Sequence, residues 1–143
     1  MGGAVVRALE ILVPGQPRPQ GSHRVLVGPD GRTRLFDSAG RALAEWRSAV
    51  AWAARYASRG RPLEGPVAVE ATFRLPRPRR PSGPLPARRP DVDKLLRALL
   101  DGLVAGRAIA DDSQVVDVCC RKRYAEGSPE TLVVVRPLGE GAA

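Results

Sequence analysis

The sequence is poor in the groups that build metal centres and disulfide frameworks. It has two cysteines, adjacent at Cys119 and Cys120, and a single histidine, His23. Neighbouring cysteines cannot form a bridge framework or a CxxC zinc knuckle, and one histidine leaves zinc almost without ligands. Aromatic residues make up 4% of the 143 positions, too few to expect a nucleotide pocket built on stacked rings. No apolar run approaches the ~18 residues that cross a bilayer. The first residues, Met1-Gly2-Gly3-Ala4-Val5-Val6-Arg7, meet Glu10 too soon to read as a secretory signal. These absences predict a cytoplasmic chain with no membrane span, no small-molecule cofactor and one domain over residues 1–143.

Lysine is also scarce: 21 of the 23 basic residues are arginine, and only Lys94 and Lys122 are lysine. Against 15 acids the bases leave a net charge of +8, which favours a polyanionic partner, nucleic acid by default. The arginine skew, with abundant Ala, Gly and Pro, also fits GC-rich codon usage, so the placement of charge carries more than its total. Residues 91–117 hold six acids, Asp91, Asp93, Asp101, Asp111, Asp112 and Asp117, against Lys94, Arg97 and Arg107, a local charge of −3. Short carboxylates gathered inside a positive field suit divalent cations held beside a phosphate backbone.

The apolar pattern predicts an α+β fold, a small mixed sheet packed on one side by two main helices. Strands are expected at 4–13, at 25–27 and 33–36 around a Gly28-Pro29-Asp30-Gly31 turn, at 67–75, at 115–120 and at 131–135. Leu43, Trp46, Val50, Ala53, Ala54 and Ala57 give residues 41–58 a helical stripe, with Trp46 and Trp52 expected to pack that helix. A second helix is expected over 92–105, capped by Asp91. Residues 76–90 contain six prolines and five arginines and no acid, so they read as an extended basic loop, and 138–143 as a frayed tail. His23 reads as a loop residue beside DNA, and Cys119 and Cys120 as free thiols on opposite faces of a strand.

Asp91 and Asp93 flank a helix start, where the dipole favours carboxylates, and Asp112 arrives from a separate loop. If the sheet folds that loop back, three oxygen ligands would converge on Mg²⁺. The ladder Asp93–Arg97–Asp101 also reads as ordinary i,i+4 pairing, and Asp111-Asp112 as turn residues.

The order Arg89-Pro90-Asp91-Val92-Asp93-Lys94-Leu95-Leu96-Arg97, then Asp101-Gly102-Leu103 and Asp111-Asp112-Ser113-Gln114-Val115, resembles the RusA family of Holliday-junction resolvases. The family pattern runs roughly R-P-D-x-D-N-L-x-K-x-x-x-D-x-L, then D-D-x-Q-V. The likeness extends over about residues 9 to 137. It implies a homodimer, common in phages and prophages, that nicks two strands of a four-way DNA junction in recombination and repair, using Mg²⁺ or Mn²⁺. It implies Asp91, Asp93 and Asp112 as metal and catalytic carboxylates, with Arg97 in the place of the family lysine. Arg77, Arg79, Arg80, Arg88, Arg89 and Lys94 are then expected to contact DNA, with Arg18 and Arg24 adding to that surface. Lys94 stands where the family has asparagine. Arg97 keeps the positive charge of lysine and offers phosphate a planar fork, but it stays protonated and cannot act as a base. A catalytically weak or inactive branched-DNA-binding module is therefore the alternative to an active endonuclease. A nucleotide hydrolase is disfavoured, since no Gly-rich phosphate cradle is present.

Overall fold

The computed structural model describes residues 7–21, 23–37 and 40–139. Leu9–Pro14 forms β1, His23–Val27 β2, Thr33–Asp37 β3, Gly40–Ser58 α1, Val67–Leu75 β4, Val92–Ala105 α2, Val115–Tyr124 β5 and Glu130–Pro137 β6. The fold is α+β, as the apolar pattern predicts. A four-stranded mixed sheet runs in the order β1-β6-β4-β5, with β4 and β5 parallel and the other pairs antiparallel. β2 and β3 pair separately as an antiparallel hairpin.

Alternation in β4 decides which face of the sheet is covered. Val67, Val69, Ala71, Phe73 and Leu75 are buried, whereas Glu70 is exposed. The buried face receives both helices: Leu43, Trp46, Val50 and Ala54 from α1, and Leu95, Ala98, Leu99 and Leu103 from α2. The Trp46 and Phe73 rings meet at 6.3 Å, tilted by 56°. On the opposite face charges are paired across strands, Arg74 with Glu130 at 2.8 Å and Arg121 with Glu70 at 3.0 Å. Arg121 also donates to the Thr72 hydroxyl at 2.9 Å.

The helices cross at two glycines of α2. A Cβ on Gly102 would stand 2.5 Å from Val50 Cγ1, and one on Gly106 would strike the Ala51 carbonyl. Backbone replaces side chain there, which lets α1 and α2 run close together.

Several expectations move. The first strand is described only from Leu9, residues 4–6 lying outside the described part, and the last two strands run further than their apolar cores. β5 continues through Arg121-Lys122-Arg123 because an edge strand with one open face tolerates charged side chains. His23 opens β2 instead of lying in a loop, and the side chains of His23 and Arg24 lie outside the described part. Trp52 does not pack α1: it is 72% exposed, since it falls outside the stripe that Trp46 and Val50 define. Cys119 and Cys120 are free, the first exposed and the second half-buried, as their alternation in the strand predicts. Burial and the neighbouring Cys119 push the Cys120 thiol up.

A candidate DNA-cleaving site

Residues 76–90 form the predicted loop, with neither helix nor strand, and Arg77, Arg79, Arg80, Arg88 and Arg89 are all exposed along it. Its end is fastened by Lys122 of β5, whose ammonium donates to the Arg88 carbonyl at 2.7 Å and to the Pro90 carbonyl at 2.9 Å. Lys122 thus delivers the chain to the start of α2, a role that its place in a strand did not signal.

Asp91 is the N-cap of α2 by position, with extended backbone, but its side chain makes no capping bond. Its carbonyl accepts from Leu95 N–H at 3.1 Å, so the helix begins properly without the carboxylate. Asp93 lies in the first turn, exposed, where the helix dipole favours an anion. The loop after β1 reaches this end of α2, with Gln20 N–H donating to the Lys94 carbonyl at 3.0 Å.

The second acidic element is a single 3-10 turn, Asp112–Gln114, held by a capping box. The Asp111 carboxylate accepts from Ser113 N–H at 3.0 Å and from the Ser113 hydroxyl. These bonds hold its carboxyl below the usual carboxylate range. The Gln114 amide oxygen accepts from Ala110 and Asp111 N–H at 2.7 and 3.0 Å. Its amide nitrogen donates to the Leu63 and Gly65 carbonyls at 2.8 and 2.9 Å, tying the turn to the chain entering β4. Asp111 and Gln114 therefore build the turn, and Asp112 is left exposed upon it.

One open cavity of about 690 Å³ collects these groups: Gln20, Gly21, Asp93, Lys94, Leu96, Arg97, Leu100, Asp101 and Asp112 line it. Asp93 and Asp112 thus share a pocket with Lys94 and Arg97, whereas Asp91 is not among the lining residues. Among the described residues the carboxylates of Asp91, Asp93 and Asp112 accept no hydrogen bond and join no ion pair. Asp101 pairs with Arg47 of α1 at 3.6 Å, not with Arg97 as helical spacing suggests, because Arg47 reaches across the close helix crossing. Arg97 stays exposed, and Asp117 stands on β5 away from the pocket. Arg18 is half-buried and donates to Gln16 at 3.2 Å.

A family model described as endodeoxyribonuclease RusA matches residues 14–136. The chain belongs to the RusA endodeoxyribonuclease family. None of the curated proteins compared with the chain matches it. Family membership gives the chain a chemical context, DNA cleavage.

The donor set suits a hard divalent cation: exposed carboxylate oxygens, with no thiol or imidazole among the pocket's lining. Among the described residues no three His, Cys, Asp or Glu side chains form a group able to hold a metal. Two carboxylates are sufficient for Mg²⁺, which ordinarily takes one or two and completes its octahedron with waters and substrate phosphate. No described helix is long and apolar enough to cross a membrane.

Proposed function

We propose that the protein is a structure-selective endodeoxyribonuclease that resolves four-way DNA junctions by paired, symmetric nicks in recombination and repair. The observation that carries this reading is the pocket itself. Asp93 from a helix start and Asp112 from a separately braced turn, both without partners among the described residues, face one cavity beside Arg97.

Asp93 and Asp112 would hold Mg²⁺ or Mn²⁺, with Asp91 next to them along the chain. The bound cation would lower the pKa of a coordinated water and offset charge on the phosphodiester. Attack by water on phosphorus breaks the P–O3′ bond, leaving a 5′-phosphate and a 3′-hydroxyl. Arg97, permanently protonated, binds the phosphate and neutralises developing charge without exchanging a proton. Arg77, Arg79, Arg80, Arg88, Arg89 and Lys94 hold the backbone on either side, positioning it without reading sequence. Two copies of the chain supply the two matched cuts, since one small subunit offers one site. The activity belongs in the cytoplasm of a bacterium, the chain being host- or phage-encoded.

The test is an end-labelled synthetic four-way junction incubated in EDTA, Mg²⁺ or Mn²⁺, with Asp93→Asn and Asp112→Asn variants alongside. Metal-dependent nicks in opposing strands are expected, reduced at least 100-fold in either variant while junction binding in EDTA persists. A junction that is shifted in a gel but uncut in every metal would favour the binding module instead, with Arg97→Lys as the first substitution to restore cutting.

A further inference from the structure

The acidic pocket does not end at Asp101. One helical turn further along α2, ~6 Å by the helical rise, lies Ala105, and with Gly106, Ala51, Trp52 and Arg55 it lines a groove of about 170 Å³ between the helices. Arg47, Ala51 and Arg55 follow one another at i+4 along α1, so the seam runs from the Arg47–Asp101 pair straight into this groove. Beside it the helix presents two aromatic rings to solvent: Trp52 is 72% and Tyr56 87% exposed, at i,i+4 on one face. They are two of the six aromatic residues in the chain.

The charges that follow toward the helix ends are basic, with Arg55 lining the groove. Arg55, Arg59, Arg61 and Arg107 are exposed, and none forms an ion pair among the described residues. Arg59 and Arg107 follow the two helices with left-handed backbone, φ 56° and 62°, where glycine is the unstrained choice. The open sheet face differs, because its Arg74 and Arg121 are already matched by Glu130 and Glu70. Unmatched arginines around exposed rings have the composition of surfaces that take single-stranded nucleic acid, with bases stacked on the rings and phosphates on the cations.

We propose that the α1–α2 seam beyond the acidic pocket is a second DNA site, which takes unpaired nucleotides. Bases stack on Trp52 and Tyr56, and their phosphates meet Arg55 and Arg59. The choice of DNA as the polyanion rests on the proposed nuclease function. The site explains two features the acidic pocket leaves idle, the exposed rings and the arginine cluster, and gives a strand leaving the pocket a track to follow.

The protein contains only two tryptophans, and the other, Trp46, is buried, so intrinsic fluorescence reports on Trp52. In EDTA, titration with a 20-nucleotide oligo(dT) is expected to quench that signal. Trp52→Phe keeps a stacking ring, so it should remove the quench yet leave oligo(dT) affinity, read by anisotropy of labelled DNA, within about twofold. The double variant Trp52→Ala/Tyr56→Ala should bind oligo(dT) at least tenfold more weakly and blunt duplex DNA equally well. Thermal melting at the wild-type temperature shows that these exposed positions leave the fold intact. Absence of quenching, or undiminished oligo(dT) binding by the folded double variant, overturns the proposal. So does a dimer in which Trp52 is already shielded from acrylamide, which would assign the patch to a second copy. Junction cutting, measured in parallel, separates the readings. Cutting without quenching removes the second site alone, and quenching without cutting removes the nuclease reading alone.

Discussion

Asp111 and Asp112 are chemically identical neighbours with opposite employments. Asp111 spends its oxygens on Ser113, and Gln114 locks the turn to the chain entering β4. Gln114→Ala is expected to lower stability by about 1–2 kcal/mol, because four largely exposed hydrogen bonds that brace the turn are lost together. Cutting should fall further than stability, since the turn presents Asp112; thermal melting and junction cleavage measured together separate the two. The lowered Asp111 carboxyl gives the turn a pH dependence. Its contribution is fully present above the usual carboxylate range and is lost as pH falls through the lowered value. The Ser113 amide resonance should therefore hold its position through mild acid and shift only below that range, and Asp111→Asn should abolish the shift. The sequence makes the acidic pair visible but not the division of labour. Spacing shows which residues share a turn, whereas the Leu63 and Gly65 carbonyls that Gln114 holds lie about fifty residues earlier. The same limit hid Lys122 behind a strand pattern and led Asp101 to be matched with the nearer Arg97, when Arg47 holds it.

Among the elements, α2 was legible to the residue, Val92 to Ala105, because an unbroken leucine stripe begins after a proline and ends at a glycine. β4 was equally plain from the alternation of Val67, Val69, Ala71, Phe73 and Leu75. What periodicity could not supply was the separation of β2–β3 from the main sheet, since pairing partners are set by tertiary packing. Nor could it assign Trp52, because helical spacing places a ring on a face without saying whether anything covers it. The crossing of α1 and α2 depends on a missing side chain. Gly102→Val would drive its branches into Val50, so a loss of about 1–3 kcal/mol is expected from overpacking. Chemical denaturation should register it as a lower midpoint at unchanged slope. Because the pocket and the aromatic groove lie along that crossing, a shifted helix would weaken both.

At the scale of the whole molecule, the +8 charge is distributed as a basic loop, a basic helix end and an acidic pocket between them. Binding to a junction should fall steeply with salt, and the double variant Arg88→Ala/Arg89→Ala should flatten the slope of log affinity against log salt by about 2. Measured at several salt concentrations with Asp93→Asn protein, so that no strand is cut, the slope isolates backbone contact from chemistry.

The sheet order also governs how the molecule comes into being. β6 follows every other strand in sequence, yet it lies between β1 and β4 and pairs with both. While a ribosome is still making the chain, the sheet has a gap at its centre that nothing synthesised earlier can fill. Leu9 meets Val135 only when nearly the whole chain has emerged, so folding waits on contacts of the longest range. Assembly is thus a late, nearly all-or-none event, and a nascent chain stalled before Glu130 should remain sensitive to protease along its entire length.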